Sequence, residues 1–508
     1  MKIKLPFNKN KKEPSIEKDP PRKDIGILAP LKNDFIQSIK DATHNPSDLI
    51  IKFILPNLTL IYIDNLVNDV TLNDHIISNL QDKPTDAPDV IVENLSIPEI
   101  NKSSRQETVI KALVNGSVLI HIEGFSEIVM ANIPKQESRS LSAPENESQV
   151  IGAQVGFNES LTTNISLIRR YVTSPDLCNE KIVVGKRADV TVALLYMHGL
   201  ADEQMVNTLR QRITELNIDV LTDSAILVQM IDDNSISPFP QMLLTERPDR
   251  FCAGLLNGKL GVIVEGSSMG IVSPMTFIEF FQSQEDQNLR WQIATFVRLL
   301  RFTAILLSVF LTPIYVGALT FHYEVIPQAF LVPLSESRAL VPFPPVFEAL
   351  LLEFIIELLR EAGARLPTKI GQTIGIVGGI VIGTAAVQAG ITSNILLIFV
   401  SLSALASFTT PSYLMGNVIR VIRFPIIILA GYWGFYGIML AFSFIMIHLL
   451  RQTSLGAPYL LPFYPPRLKD MANSIIRLPL PLTSKRPEVA RPDDKEKFKP
   501  EPIKPENS

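Results

Sequence analysis

IGQTIGIVGGIVIGTAAVQAG, residues 370–390, opens a run from Ile370 to Ile419 that is fifty residues long and contains no Asp, Glu, Lys or Arg. A helix needs roughly 20 apolar residues to cross a bilayer, so a run of this length suits two crossings rather than one. Gly371, Gly375, Gly379 and Gly383 recur at every fourth position. Residues four apart share one helix face, and glycine there lets two backbones approach closely, supplying packing where lipid removes the hydrophobic drive. Roughly opposite, at 100° per residue, fall Thr373, Val377, Ile380, Thr384 and Gln388. The two hydroxyls and the amide can replace part of an ion's hydration shell, and the Val377/Ile380 girdle can close a pore by dewetting. The same polar groups also suit hydrogen bonds to neighbouring helices. Both readings stand at this level.

Outward from this helix, apolar segments at 302–321, 392–410 and 425–450 join 370–389 as four predicted spans. Arg298 and Arg301 precede the first span and favour a cytoplasmic N-terminal side. Pro313 inside it predicts a kink, which neighbouring helices can accommodate. Arg420 and Arg423 precede the last span, and Tyr432, Trp433 and Tyr436 lie well within it, a pattern that predicts a packed interior rather than an interfacial belt. Four crossings leave both termini in the cytoplasm. The rival topology counts the helix at 346–363 as a fifth span. That helix is amphipathic, with Glu353, Glu357 and Glu361 at i, i+4 and i+8 against a Leu/Ile/Phe face. Carboxylates in hydrocarbon cost several kcal/mol each. The helix therefore lies in the interface, lines water as an acidic vestibule on a cation path, or pairs its charges.

The first 296 residues read as a charged soluble protein. LTLIYIDNLVNDVTLNDHIISNL (58–80) and VTVALLYMHGLADEQMVNTLRQRI (190–213) share a strand-then-helix plan. GSVLIHIEGFSEIVMANIP (116–134) parallels GKLGVIVEGSSMGIVSP (258–274), each strand ending in Glu-Gly and returning toward a proline. The repetition predicts two related α/β subdomains at 35–140 and 180–296, joined by a helical segment at 141–179 and built on mixed sheets. Glu123-Gly124 and Glu265-Gly266 read as hairpin turns in which glycine supplies a positive φ. His121 and His198 lack partner spacing and read as structural. A basic arm (1–34) precedes these subdomains, and a C-terminal tail (451–508), too rich in Pro, Lys and Glu to fold beyond about residue 485, follows the spans at 297–450. The predicted fold class is an α+β soluble N-terminal region of two related α/β subdomains, followed by an α-helical multi-span membrane domain.

A net charge of −4 points to no nucleic-acid partner. Cys178 and Cys252 are too few and too far apart for a disulfide framework or a metal site. No phosphate loop, nucleotide fingerprint, nucleophile elbow or HExxH occurs, so neither an enzyme nor a cofactor is expected. The absence of a paired broken-helix repeat argues against secondary transport.

Several phrases carry a resemblance: RSLSAPE (139–145), GFNESLTTNISLIRR (156–170), TERPDR (245–250), VPFPP (341–345), IIELLREAGARLP (355–367), IGQTIGIVGG (370–379), AAVQA (385–389), ASFTTPSY (406–413) and RLKDMANSIIRLPLP (467–481). In this order they resemble the A subunits of the GerA family of spore germinant receptors, over about residues 45–482. One departure is visible. Where that family has Gly-Pro-Arg/Lys-x-Gly-Phe, this chain has Gly152-Ala-Gln-Val-Gly-Phe157, without the basic residue. The resemblance implies a multi-pass protein of the spore inner membrane with a cytoplasmic N-terminal region. It implies a homo-oligomer, pentameric, acting with a transporter-like B subunit and a lipoprotein C subunit as a nutrient-gated channel that releases monovalent cations. The alternative is a membrane-anchored scaffold or signal transducer like the related stage V sporulation protein AF.

Overall fold

The computed structural model describes residues 28, 31–82, 87–135, 143–365 and 379–498. It divides into two units, Met1–Gln136 with Thr173–Leu177, and Glu137–Val172 with Cys178–Ser508.

In the first unit, strands β1 (Leu49–Leu55), β2 (Leu58–Ile63), β3 (Ile100–Ser103), β4 (Ser117–Ile122) and β5 (Ile128–Asn132) form one sheet in the order β1-β2-β4-β5-β3. Strand side chains alternate between faces, and β2 obeys this with apolar residues on both. Leu58, Leu60 and Tyr62 join Ile76 and Leu80 from helical turns at 69–82. Ile61 and Ile63 instead meet Phe35 and Ile39 of α1 (Lys32–Thr43), and Val109 and Leu113 of α2 (Gln106–Val114). Cover on both faces explains the unbroken apolar run.

In the second unit, β6 (Leu177–Val184), β7 (Val190–Met197), β8 (Leu243–Thr245), β9 (Leu260–Val264) and β10 (Gly270–Ser273) form a sheet in the order β6-β7-β9-β10-β8. This is the strand order of the first unit, element for element, so the repeated sequence plan is a repeated fold. The expected mixed sheets are corrected: the ladders β1–β2, β2–β4, β4–β5, β3–β5, β7–β9, β9–β10 and β8–β10 are antiparallel. Hairpins join β4 to β5 and β9 to β10, with Gly124 and Gly266 at φ 96° and 83°. Helices α3 (Leu161–Tyr171), α4 (Glu203–Thr214), α5 (Ser224–Ile231) and α6 (Pro248–Leu255) accompany this second sheet.

An apolar helical array follows: α7 (Trp291–Thr320), α8 (Gln328–Arg338), α9 (Pro345–Arg365), α10 (Gly379–Gln388), α11 (Asn394–Ser407), α12 (Tyr413–Trp433) and α13 (Phe435–Arg451). Among the described residues, α7 and α12 are long and apolar enough to cross a membrane, while α10, α11 and α13 are apolar but shorter. Val316, Leu396, Val400, Ile426, Ile427 and Ala430 form the centre of their shared core.

The segment expected as one helix at 425–450 is two helices that meet at Gly434, whose φ is 59°. A Cβ at Gly434 would stand 2.6 Å from the His322 ring, and one at Gly437 2.0 Å from the Leu429 carbonyl oxygen. Close packing at these glycines fixes the break, and α12 itself runs from Tyr413, after an extended Ser412, with Arg420 and Arg423 inside it. Tyr432, Trp433 and Tyr436, expected in a packed interior, flank the break and are exposed.

After α13 the chain returns to the second α/β subdomain. A two-residue hairpin (Thr453–Ser454 with Ala457–Pro458) places Leu455 and Ala457 in the core beneath β7 and β9. Tyr459 is fully buried, and its hydroxyl donates to the Pro240 carbonyl at 2.6 Å. A final helix, α14 (Leu468–Ile475), follows. The tail expected to be structureless beyond about 485 instead forms a bridge between Lys485 and Glu496 and buries Val489 and Ala490. Its composition gives it no core of its own, and it is tied to the subdomain by hydrogen bonds from the Asp493 N–H to the Leu200 carbonyl at 3.2 Å and from Arg486 Nε to the Leu256 carbonyl at 3.0 Å.

Candidate functional site

Helix α9 brings charge into the apolar array. Glu348, which the sequence reading missed, is completely buried. Its carboxylate accepts from Arg338 Nη1 at 2.7 Å, Thr392 Oγ1 at 3.0 Å and the Ser393 amide at 2.6 Å. Ser393 is the N-cap of α11, its hydroxyl accepting from the Leu396 amide at 3.2 Å. Glu348 thus sits at the positive end of the α11 dipole, where a carboxylate is favoured. One signal pointed to it: an acid interrupting the apolar VFEALLL directly after the proline-rich turn.

Glu353, one of the three predicted vestibule acids, is also buried. Arg423 Nη1 of α12 donates to its Oε2 at 2.6 Å, and Thr312 Oγ1 of α7 donates to Oε1 at 3.0 Å. Arg423 Nη2 donates to Ser308 Oγ at 2.7 Å and to the Ser403 carbonyl at 3.3 Å. One polar cluster therefore ties α7, α9, α11 and α12 together inside an otherwise apolar core. Farther along α9, Glu357 pairs with Arg360 and lies 3.9 Å from Arg420 Nε, while Glu361 pairs with Arg365 at 2.6 Å. Each of the three glutamates of this stripe is thus paired with an arginine, Glu353 in the interior and Glu357 and Glu361 toward the exposed end.

Of the predicted pore edge and glycine face, Gly371, Thr373, Gly375 and Val377 lie outside the described residues. On α10, Ile380, Thr384 and Gln388 are exposed, as are Gly379, Val381, Ile382 and Ala385, while Ala386 is buried, as is Gly390 just past the helix end. Thr384 Oγ1 donates to the Ile380 carbonyl at 2.7 Å, so its proton is used within its own helix. A Cβ on Gly379 would meet nothing within 4 Å, whereas one on Gly383 would touch Leu397 at 3.6 Å. The two described glycines thus differ: Gly383 packs on α11 and Gly379 is open.

Arg298 and Arg301, expected as flanking cations, are buried around Asp286. Arg298 Nε and Arg301 Nη1 donate to its Oδ2 at 3.0 and 3.1 Å. Arg298 Nη1 also donates to the Asn473 carbonyl of α14 at 2.9 Å, and Arg477 Nε to the Asp286 carbonyl at 3.3 Å. The base of α7 is thereby joined to the returning tail.

Gln154 stands where the family pattern has a basic residue, and an arginine from TERPDR serves the same loop. Arg247 is 1% exposed and donates to the Ala153 carbonyl at 3.1 Å, the Glu147 carbonyl at 3.3 Å and Asp249 Oδ2 at 2.7 Å. Asn164 of α3 locks the preceding turn, donating to the Asn158 carbonyl at 2.6 Å and accepting from its amide at 2.9 Å. Burial pushes the Cys252 thiol up to about 12, leaving it without thiolate reactivity. Glu265 accepts from the Leu161 amide at 3.2 Å and serves as a helix support. Among the described residues, no group of three His, Cys, Asp or Glu side chains could hold a metal ion.

The family described as Bacillus/Clostridium GerA spore germination protein matches residues 37–489. Spore germination protein GerQA of Bacillus cereus is 41% identical over 481 residues, covering 94% of each chain. Spore germination protein KA of Bacillus subtilis (strain 168) is 37% identical over 480 residues, 92% of this chain and 88% of that protein. Among solved structures, the N-terminal domain of the A subunit of the Bacillus megaterium spore germinant receptor GerK3 matches at 25% identity and a TM-score of 0.40, covering 50% of this chain and 98% of that one. With the match spanning both α/β subdomains and the apolar helices, this chain belongs to the GerA family of spore germination proteins.

Proposed function

We propose that this chain is the A subunit of a nutrient germinant receptor in the spore inner membrane, crossing it several times with its N-terminal region in the cytoplasm. Copies of the chain oligomerise, as a pentamer, around a cation path lined by Thr373, Val377, Ile380, Thr384 and Gln388, and act with a transporter-like B subunit and a lipoprotein C subunit. The observation that supports this reading is that Ile380, Thr384 and Gln388 lie exposed on an apolar helix, together with Val381, Ile382 and Ala385, so most of its surface is left for neighbours outside the single chain. A helix surface that alternates a Thr, a Gln and aliphatic residues suits neither bulk water nor lipid alone, and a shared aqueous axis satisfies it. The paired charges of α9 then hold the array together, with Glu361 near its exposed end.

The test is nutrient-triggered cation flux through the protein reconstituted alone and with its partner subunits. Val377→Ala or Ile380→Ala opens the girdle and gives leaky, premature germination. Flux untouched by Val377→Ala, Thr384→Leu and Ile380→Asp removes the pore assignment.

The second reading, an anchored scaffold that relays a signal, is favoured by the polar links between α14 and the base of α7. Under it, deletion of residues 1–285 abolishes nutrient response. Retained oligomerisation and response after that deletion exclude it.

A further inference from the structure

A groove between α9, the turn at 408–412 and α12 plays no part in the conduction reading. A small cavity there is lined by Glu353, Glu357, Arg360, Arg420 and Arg423, three guanidinium groups against two carboxylates. It shares Ile356, Glu357, Arg360, Ser407, Phe408 and Arg420 with an open groove of ≈ 930 Å³. Glu361 also lines the open groove but is paired with Arg365 at 2.6 Å, so four guanidinium groups stand against three carboxylates, and the remaining positive charge beside an apolar array costs free energy unless an anion offsets it.

A second observation is independent of that count. Arg420 Nε, Arg423 Nε and Thr410 Oγ1 are buried without a hydrogen-bond partner among the described residues. Arg423 is 3% exposed and its other nitrogens are engaged, so its Nε is a fixed donor with no acceptor. Buried donors left unpaired cost about 1–3 kcal/mol each. Arg360 is held over the Phe408 ring at 5.8 Å, which orients its guanidinium beside the groove. Arginine forks match phosphate oxygens in geometry as well as charge.

The rim identifies the kind of anion. Leu405, Phe408, Tyr413 and Val421 are each more than 60% exposed around the basic patch. A phosphate with apolar tails fits this combination better than a free, fully hydrated ion. We propose that this groove binds the phosphate of an anionic phospholipid headgroup, with Arg360 and Arg420 as its principal donors and Thr410 at its edge. The assignment stands apart from the pore reading and does not depend on it.

The experiment is native mass spectrometry of the full-length protein, titrated with phosphatidylglycerol, phosphatidylcholine or inorganic phosphate. Phosphatidylglycerol is retained in preference to phosphatidylcholine. Arg420→Gln and Arg360→Gln each lower its apparent affinity about tenfold, the loss expected for one charge-assisted pair. Arg451→Gln, an exposed charge elsewhere, leaves binding unchanged. Arg420→Lys keeps the charge if the glutamine variant fails to fold, and it also weakens retention through loss of the planar fork. Displacement of the lipid by inorganic phosphate supports the same site with a free-phosphate source. Equal retention of the two lipids, or equal losses in the Arg451→Gln and Arg420→Gln variants, overturns the proposal.

Discussion

Glu353 and Arg423 lie seventy residues apart in the chain and meet at 2.6 Å, each at most 4% exposed, between α9 and α12. Removing one partner strands the other charge, whereas removing both leaves only polar hydroxyls to repack. Glu353→Leu or Arg423→Leu alone is expected to destabilise the protein by about 3–5 kcal/mol, and the double variant to recover most of that loss. Thermal unfolding of the purified single and double variants in one detergent measures the coupling. Additive losses would mean that the pair contributes nothing as a pair.

A pH effect is expected at the end of α5. Asp232 is pushed up to about 7 by its burial and by the neighbouring Asp233, with Arg212 opposing. Asp233 is held below the carboxylate range: burial raises it, and hydrogen bonds from Thr453, Gly456 and Arg212 outweigh burial. A folded value above the unfolded 3.8 means the folded chain binds this proton more tightly. The Asp232 contribution is therefore complete below about pH 4 and is lost as pH rises through about 7. Asp232→Asn should flatten this part of the stability curve and exceed the native protein by on the order of 1–2 kcal/mol at pH 8. Melting temperatures between pH 5 and 8.5 decide it, and parallel curves would reject the assignment.

The two described glycines of α10 should separate folding from assembly. Gly383→Leu drives a side chain into Leu397, which already lies 3.6 Å from the Cβ position, and should destabilise the single chain. Gly379→Leu meets open space within the chain, so it should leave the fold intact and block oligomer formation. Crosslinking in membranes reads assembly, and protease resistance reads the fold. A full-size oligomer from Gly379→Leu would show that this face makes no contact between copies.

Arg247→Lys keeps a charge but cannot make the divergent bonds to Glu147, Ala153 and Asp249 together. The segment at 146–157 should become cleavable under limited proteolysis, with a stability loss of about 2–3 kcal/mol. Unchanged cleavage would mean that Glu147–Arg250 and the Glu246 contacts suffice.

The α/β half was legible because strands are local objects. The short apolar runs LTLIYI and VTVALLYM and the two Glu-Gly turns mark strands and hairpins within a few residues. Antiparallel pairing was not legible, since a strand-then-helix spacing is shared by mixed and antiparallel sheets until the edge strands β3 and β8 are placed. The break at Gly434 was hidden for a different reason. Glycine is common inside apolar helices, and only the contact with His322 distinguishes a packing glycine from a hinge. Charge pairing was the least visible. Spacing put Glu353, Glu357 and Glu361 on one face, but Arg423 and Arg338 are partners fixed by tertiary structure. Glu348, without a repeat to mark it, was missed altogether.

Which surface of α10 meets water decides between a conducting ring and an anchored relay. The most direct measurement is modification of Thr384→Cys by a charged, membrane-impermeant thiol reagent during nutrient-triggered flux through the reconstituted receptor. Rapid labelling that blocks cation flow is the predicted result. A cysteine at this position that only lipid-soluble reagents reach, with flux unchanged, would contradict it.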